Sequence, residues 1–161
     1  MKKLFLLTLV TGLFLSLGSS AQQDKSKRPS PPAKVSKTLA SGAEISVDYS
    51  RPSLKGRALS ALAPVGKVWR TGANEATVFE TSKDVKIEGK TLPAGKYGLY
   101  TIPGDQEWTI IFNKTWKQWG TVYKESEDAL RVNVKAGKSS ENTEVFTFDI
   151  ADNGNVSMIW A

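Results

Sequence analysis

The 161-residue chain predicts an all-β fold, an antiparallel β-sandwich of about eight or nine strands after a signal peptide. Three observations carry that expectation. Short runs alternate apolar and polar side chains with period 2, the mark of a strand with one buried face. Gly, Pro, Asn and Asp interrupt those runs at short intervals. Helical spacing is confined to residues 58–63, where Pro64 stops it.

The chain opens as an export signal. Lys2 and Lys3 form a basic start, residues 4–17 an apolar stretch, and Gly18, Ser19, Ser20 and Ala21 a cleavage point before Gln22. The stretch is shorter than the roughly 20 apolar residues of a bilayer span, so cleavage is expected and an uncleaved anchor is the alternative. No later segment reads as transmembrane, and the absence of Cys excludes a lipid anchor and any disulfide framework. The expected mature protein is therefore periplasmic or secreted. Residues 22–34, with Lys25, Lys27, Arg28 and Lys34 among Pro29, Pro31 and Pro32, read as a solvated leader extended as polyproline. Residues 35–161 then form a single domain.

Within that domain the strands follow in order. Ile45, Val47 and Tyr49 alternate with Ser46, Asp48 and Ser50, and residues 77–81 are rich in β-formers. Val85 and Ile87 lead to a turn at Glu88, Gly89 and Lys90. Residues 97–102 and 108–112 form a hairpin about Pro103, Gly104 and Asp105, the second strand apolar enough to be central. Leu130, Val132 and Val134 alternate, as do Phe146, Phe148 and Ile150. Asn153-Gly154 turns the chain into a last strand bearing Val156, Met158 and Trp160. Uneven loop lengths favour a sandwich over a regular barrel.

Composition prunes the chemistry. With no His and no Cys, imidazole catalysis, Cys–His nucleophiles and His/Cys zinc sites are excluded, and no cofactor or metal is expected. Loss of Lys2 and Lys3 leaves 20 basic against 16 acidic side chains, a mild excess. No nucleic-acid-binding motif accompanies it, so nucleic acid is not an expected partner.

One segment concentrates charge. Between Tyr49 and Asn74 lie Arg51, Lys55, Arg57, Lys67 and Arg70, with no Asp or Glu; Asp48 and Glu75 bracket it. Its Ser, Gly, Pro and Ala content makes it a loop. Five cations there require an anion or distant carboxylates. Arg51, Arg57 and Arg70 either pin the loop by donating to carbonyls and to Asp48 or Glu75, or converge on a ligand anion with N–H groups near Gly56, Gly66 and Gly72. Trp69, Arg70, Asn74 and Glu75 together supply a ring, a cation, an amide and a carboxylate, a set that suits a sugar, unless Trp69 is core and Asn74 serves a turn. Trp116, Trp119 and Tyr123 form a second aromatic group, either a glycan or partner contact or a loop folded over a sheet end. Glu125, Glu127 and Asp128 read as a solvated acidic turn.

The segments 29–35 (PSPPAKV), 48–57 (DYSRPSLKGR), 64–77 (PVGKVWRTGANEAT), 92–97 (LPAGKY), 101–104 (TIPG) and 108–114 (WTIIFNK) resemble an exported bacterial domain-of-unknown-function family, number 2911. The resemblance spans essentially the whole expected mature chain. It implies export in a Gram-negative bacterium and a β-rich domain, and it implies no activity. Such domains usually continue past the position of Trp160 into one further short strand. Here the chain stops at Ala161, which reads either as a shortened member or as an incomplete product with an unpaired sheet edge.

Three functions fit these observations. The first is a non-catalytic exported sandwich binding a small anionic or glycan ligand, or an envelope protein partner, through Arg51, Arg57, Trp69, Arg70, Asn74 and Glu75. The second is a carboxylate-dependent hydrolase using Glu75. The third is a structural cell-envelope module whose basic loop only holds the fold.

Overall fold

A computed structural model describes residues 24–137 and 142–160; the expected signal at 1–21 lies outside them. Period-2 patterning folds into one large sheet and two small hairpins. The strands are β1 (Pro32–Thr38), β2 (Glu44–Ser50), β3 (Thr77–Thr81), β4 (Val85–Ile87), β5 (Lys90–Leu92), β6 (Gly95–Ile102), β7 (Glu107–Asn113), β8 (Asp128–Lys135), β9 (Thr147–Ile150) and β10 (Val156–Ile159). The large antiparallel sheet runs β1-β2-β3-β6-β7-β8, and β4-β5 and β9-β10 form separate hairpins. One helical turn, α1 (Leu59–Leu62), stands where Pro64 confines it.

The two hairpins lay their apolar residues against one face of the large sheet. Ile45, Val47 and Tyr49 of β2, Phe79 of β3, Tyr97 and Leu99 of β6 and Phe112 of β7 meet Leu92, Phe146, Phe148 and Ile150 in one core. This is the sandwich the patterning predicts. Phe146 lies at its centre, 1% exposed, with edge-on rings at Tyr49, Trp69 and Phe148. The Phe148 N–H donates to the Tyr49 hydroxyl at 3.0 Å and ties the layers together.

Ten strands form among the described residues, against eight or nine expected. The two without a clear sequence mark are β1, whose only large apolar side chain is Val35, and the three-residue β5. The domain accordingly begins earlier than residue 35. β1 starts at Pro32, within the stretch expected to be a polyproline leader, and pairs Pro32 with Ser50 through Thr38 with Glu44. Proline is tolerated because it heads an edge strand, where no ladder partner needs its missing N–H.

The opposite face of the large sheet carries a second, smaller apolar group: Ala76, Tyr100 and Ile111, with Ile102 and Tyr123 packed against it. The chain between β7 and β8 crosses this group. Gly98 permits the crossing, since a Cβ there would sit 2.9 Å from the Thr115 carbonyl oxygen. The Tyr100 hydroxyl donates to the Val122 carbonyl at 2.9 Å and receives the Gln118 amide at 3.0 Å. The crossing chain thereby brings Trp119 to the end of the basic segment.

Candidate ligand site at the end of the basic segment

The cations of the 51–75 segment do not converge. Arg51 donates from Nε to the Phe146 carbonyl at 3.3 Å and from Nη2 to Thr147 Oγ1 at 3.0 Å. Arg57, on the exposed loop before α1, closes that loop on the carbonyls of Leu54 (2.9 Å) and Ser53 (2.8 Å). Arg70 donates from Nε to the Gly72 carbonyl at 3.3 Å. Donation to carbonyls therefore occurs as one reading expected. The bracketing carboxylates go elsewhere: Asp48 pairs with Lys34 at 3.1 Å, and Glu75 pairs with Arg28 and Lys25.

A distant carboxylate does enter the block. Glu144 accepts from the Lys55 N–H at 2.7 Å, while its own carbonyl accepts from Leu54 N–H at 3.0 Å. Lys55 and Gly56 both take positive φ, 50° and 73°, as a turn that presents its N–H groups requires. The anion expected near Gly56 is thus supplied by the chain itself. Nothing local in the sequence marks Glu144 for this role.

Trp69 is a core residue, 7% exposed, stacked on Trp160 at 5.6 Å and 15°. The exposed ring is Trp119, at 50%. Residues 74–76 and 118–120 form a short antiparallel ribbon in which Gly120 N–H donates to the Asn74 carbonyl and Ala76 N–H to the Gln118 carbonyl, each at 3.0 Å. Those two bonds flank the Glu75–Trp119 pair. Such a non-hydrogen-bonded pair is the closer class, with Cα atoms about 4.5 Å apart and both side chains on one side. Gly120 allows the close approach: a Cβ there would lie 2.6 Å from Arg70 Cδ and 2.8 Å from the Asn74 oxygen. Asn74 takes φ 59° and donates its side-chain amide to the Ser30 carbonyl at 3.0 Å.

The expected leader completes this place. Arg28 Nη1 reaches both Glu75 oxygens, at 3.0 and 2.9 Å, and Lys25 Nζ lies 3.0 Å from Oε1. Burial favours the neutral carboxyl. Hydrogen bonds from Lys25, the residue's own backbone and Arg28 together outweigh it and hold Glu75 down at about 2. The carboxylate is therefore ionised at neutral pH and occupied as an acceptor. Its work is to hold two cations beside an exposed indole.

Of the expected candidates, the structure gathers Arg70, Asn74 and Glu75 about this ribbon. Arg51 and Arg57 bind other carbonyls, and Trp69 lies inside. Lys25, Arg28 and Trp119 join the three. Two open hollows elsewhere, one lined by Lys34, Glu44, Ser46, Glu80 and Ser82 and one by Glu88, Lys90, Arg131, Val132 and Asn133, include none of the 51–75 residues.

The acidic turn is not simply solvated. The Asp128 side chain is only 10% exposed and accepts from Tyr123 (2.6 Å), Arg131 (2.7 Å) and Asn113 (2.8 Å). Its expected solvation fails because the β7–β8 chain folds Tyr123 back over the sheet. Burial and the bond to Asp128 push the Tyr123 phenol up to about 12. Among the described residues no group of three acidic, His or Cys side chains is placed to hold a metal ion.

The family described as "Protein of unknown function (DUF2911)" matches residues 30–161, and the chain belongs to it. The match begins at Ser30, whose carbonyl is held by Asn74. No curated protein and no solved structure matches the chain.

Proposed function

We propose that this member of the family is a non-catalytic, exported β-sandwich that binds a saccharide at the Trp119 face, where the basic segment ends. One observation carries the reading. Trp119 is half exposed, yet the ribbon with residues 74–76 holds its backbone beside the Glu75–Arg28–Lys25 cluster. An indole kept in water by a bonded ribbon, with polar groups beside it, is the arrangement that stacks on a sugar ring and fixes its substituents. Trp69, the ring the sequence offers for this purpose, is unavailable in the core. Export to the periplasm or beyond rests on the Lys2–Lys3 start, the apolar residues 4–17 and the small residues before Gln22.

A hydrolytic role for Glu75 has no support in this geometry. A carboxyl held near 2 delivers no proton at neutral pH and is a weak base. The structural reading keeps one specific observation in its favour: Arg51, Arg57 and Arg70 each donate to the chain's own carbonyls. The two are separated by indole resonances. The chain has five Trp, and a binding saccharide shifts the Trp119 indole signal selectively in a nitrogen–proton NMR spectrum. A glycan panel that leaves that signal unmoved defeats the binding reading and favours the structural module. Binding to an envelope protein without any glycan response favours the partner alternative.

A further inference from the structure

We infer that the Trp119 face selects acidic saccharides, and that Arg28 and Arg70 are the residues that read the acid group. This rests on the saccharide reading above. Each guanidinium offers five N–H donors in a planar fork. Arg28 uses only Nη1 on Glu75, and Arg70 uses only Nε, at 3.3 Å, on Gly72. Among the described residues, Nε and Nη2 of Arg28 and both Nη atoms of Arg70 have no acceptor.

Both groups lie at the ribbon that carries the indole. Arg28 is held at Glu75, the cross-strand partner of Trp119 and on the same side of the ribbon, while the Arg70 stem packs against Gly120, the next residue along. Among the described residues, Glu75 is the carboxylate bonded to Lys25 and Arg28, Asp24 pairing instead with Lys27, and residues 49–74 add none. A planar fork with unused donors matches a carboxylate, sulfate or phosphate oxygen pair, with the charge-assisted bonds that neutral hydroxyls do not supply. Arg51 and Arg57 differ. Each already spends Nε and Nη2 on the fold, at acceptors outside residues 74–76 and 118–120.

Two matched ligand pairs test this by calorimetry at fixed ionic strength: oligogalacturonate against its methyl ester, and a sulfated heparin oligosaccharide against its desulfated form. In at least one pair the acidic member is expected to bind about tenfold or more tightly, the range of a charged hydrogen bond. Arg28→Gln and Arg70→Gln are each expected to remove that preference, lowering the acidic member's affinity far more than the neutral member's, with the circular dichroism spectrum unchanged. Trp119→Ala is expected to weaken both members alike. Equal binding of acidic and neutral members overturns the inference and leaves the saccharide reading standing. An acid preference that survives both arginine substitutions overturns the assignment of these residues. Failure of all four ligands to bind overturns the saccharide reading, and this inference with it.

Discussion

Glu75 and Trp119 stand opposite one another in a non-hydrogen-bonded antiparallel pair, flanked by the Gly120–Asn74 and Ala76–Gln118 bonds. Among the described residues, that is where the backbones of the basic segment and the β7–β8 chain bond to one another. The basic segment contributes a carboxylate that gathers cations, and the β7–β8 chain a ring left in water.

The Glu75 cluster makes stability depend on acid. Its carboxyl is held at about 2 in the fold, against an ordinary value of 4.5. The stabilisation is therefore present above pH 4.5 and is lost as pH falls toward 2. With the side chain 40% exposed, solvent screening reduces it to about 1 kcal/mol. Urea midpoints of parent and Glu75→Gln are expected to differ at pH 7 and to converge near pH 2. A constant difference across that range would contradict the assignment.

Gly120 sets the approach of the two segments. Gly120→Ala places a methyl group against Arg70 Cδ and the Asn74 carbonyl. The expected loss is about 1–3 kcal/mol, as for other overpacked sites, together with a displaced Trp119 indole resonance. An alanine variant with parent stability and an unmoved resonance would show that the ribbon gives way at no cost.

Arg51 and Lys55 separate the structural and solvated cations of the block. Arg51 joins the end of β2 to Phe146 and Thr147 through two bonds, while the Lys55 side chain is exposed and, among the described residues, only its N–H is engaged. Arg51→Ala is expected to cost about 1–3 kcal/mol, since it strands a part-buried carbonyl. Lys55→Ala keeps the backbone bond and is expected to stay within about 1 kcal/mol, since Lys and Ala carry the same Cβ at φ 50°. Reversal of that order in urea titration would remove the structural role of Arg51.

Tyr123 stabilises in the opposite direction along the pH scale. Its phenol is raised to about 12 from an ordinary value of 10. The contribution is complete below pH 10 and is lost as pH rises through about 12. Tyr123→Phe removes a donor to Asp128 and an acceptor for Arg131. A loss of about 1–3 kcal/mol at pH 8 is expected, shrinking between pH 10 and 12. A loss that stays constant to pH 12 would place the phenol outside the Asp128 network.

Local chemistry made most of the fold legible. Alternation at Ile45, Val47 and Tyr49, and again at Phe146, Phe148 and Ile150, decides which face of each strand meets the main core, because a strand presents successive side chains to opposite sides. Gly89 and Gly154, both at positive φ, mark turns that follow from the residue itself. The lack of His and Cys likewise limits chemistry without reference to any fold. Partnership is another matter. That Trp69 is core and Trp119 exposed, that Glu75 takes Arg28 rather than a cation of its own segment, and that Glu144 caps the Lys55 turn all depend on chain crossings between residues far apart in sequence. A charge or a ring carries no local record of its partner. Pairing is decided by which surfaces the sheet order brings together, and only the tertiary structure holds that order.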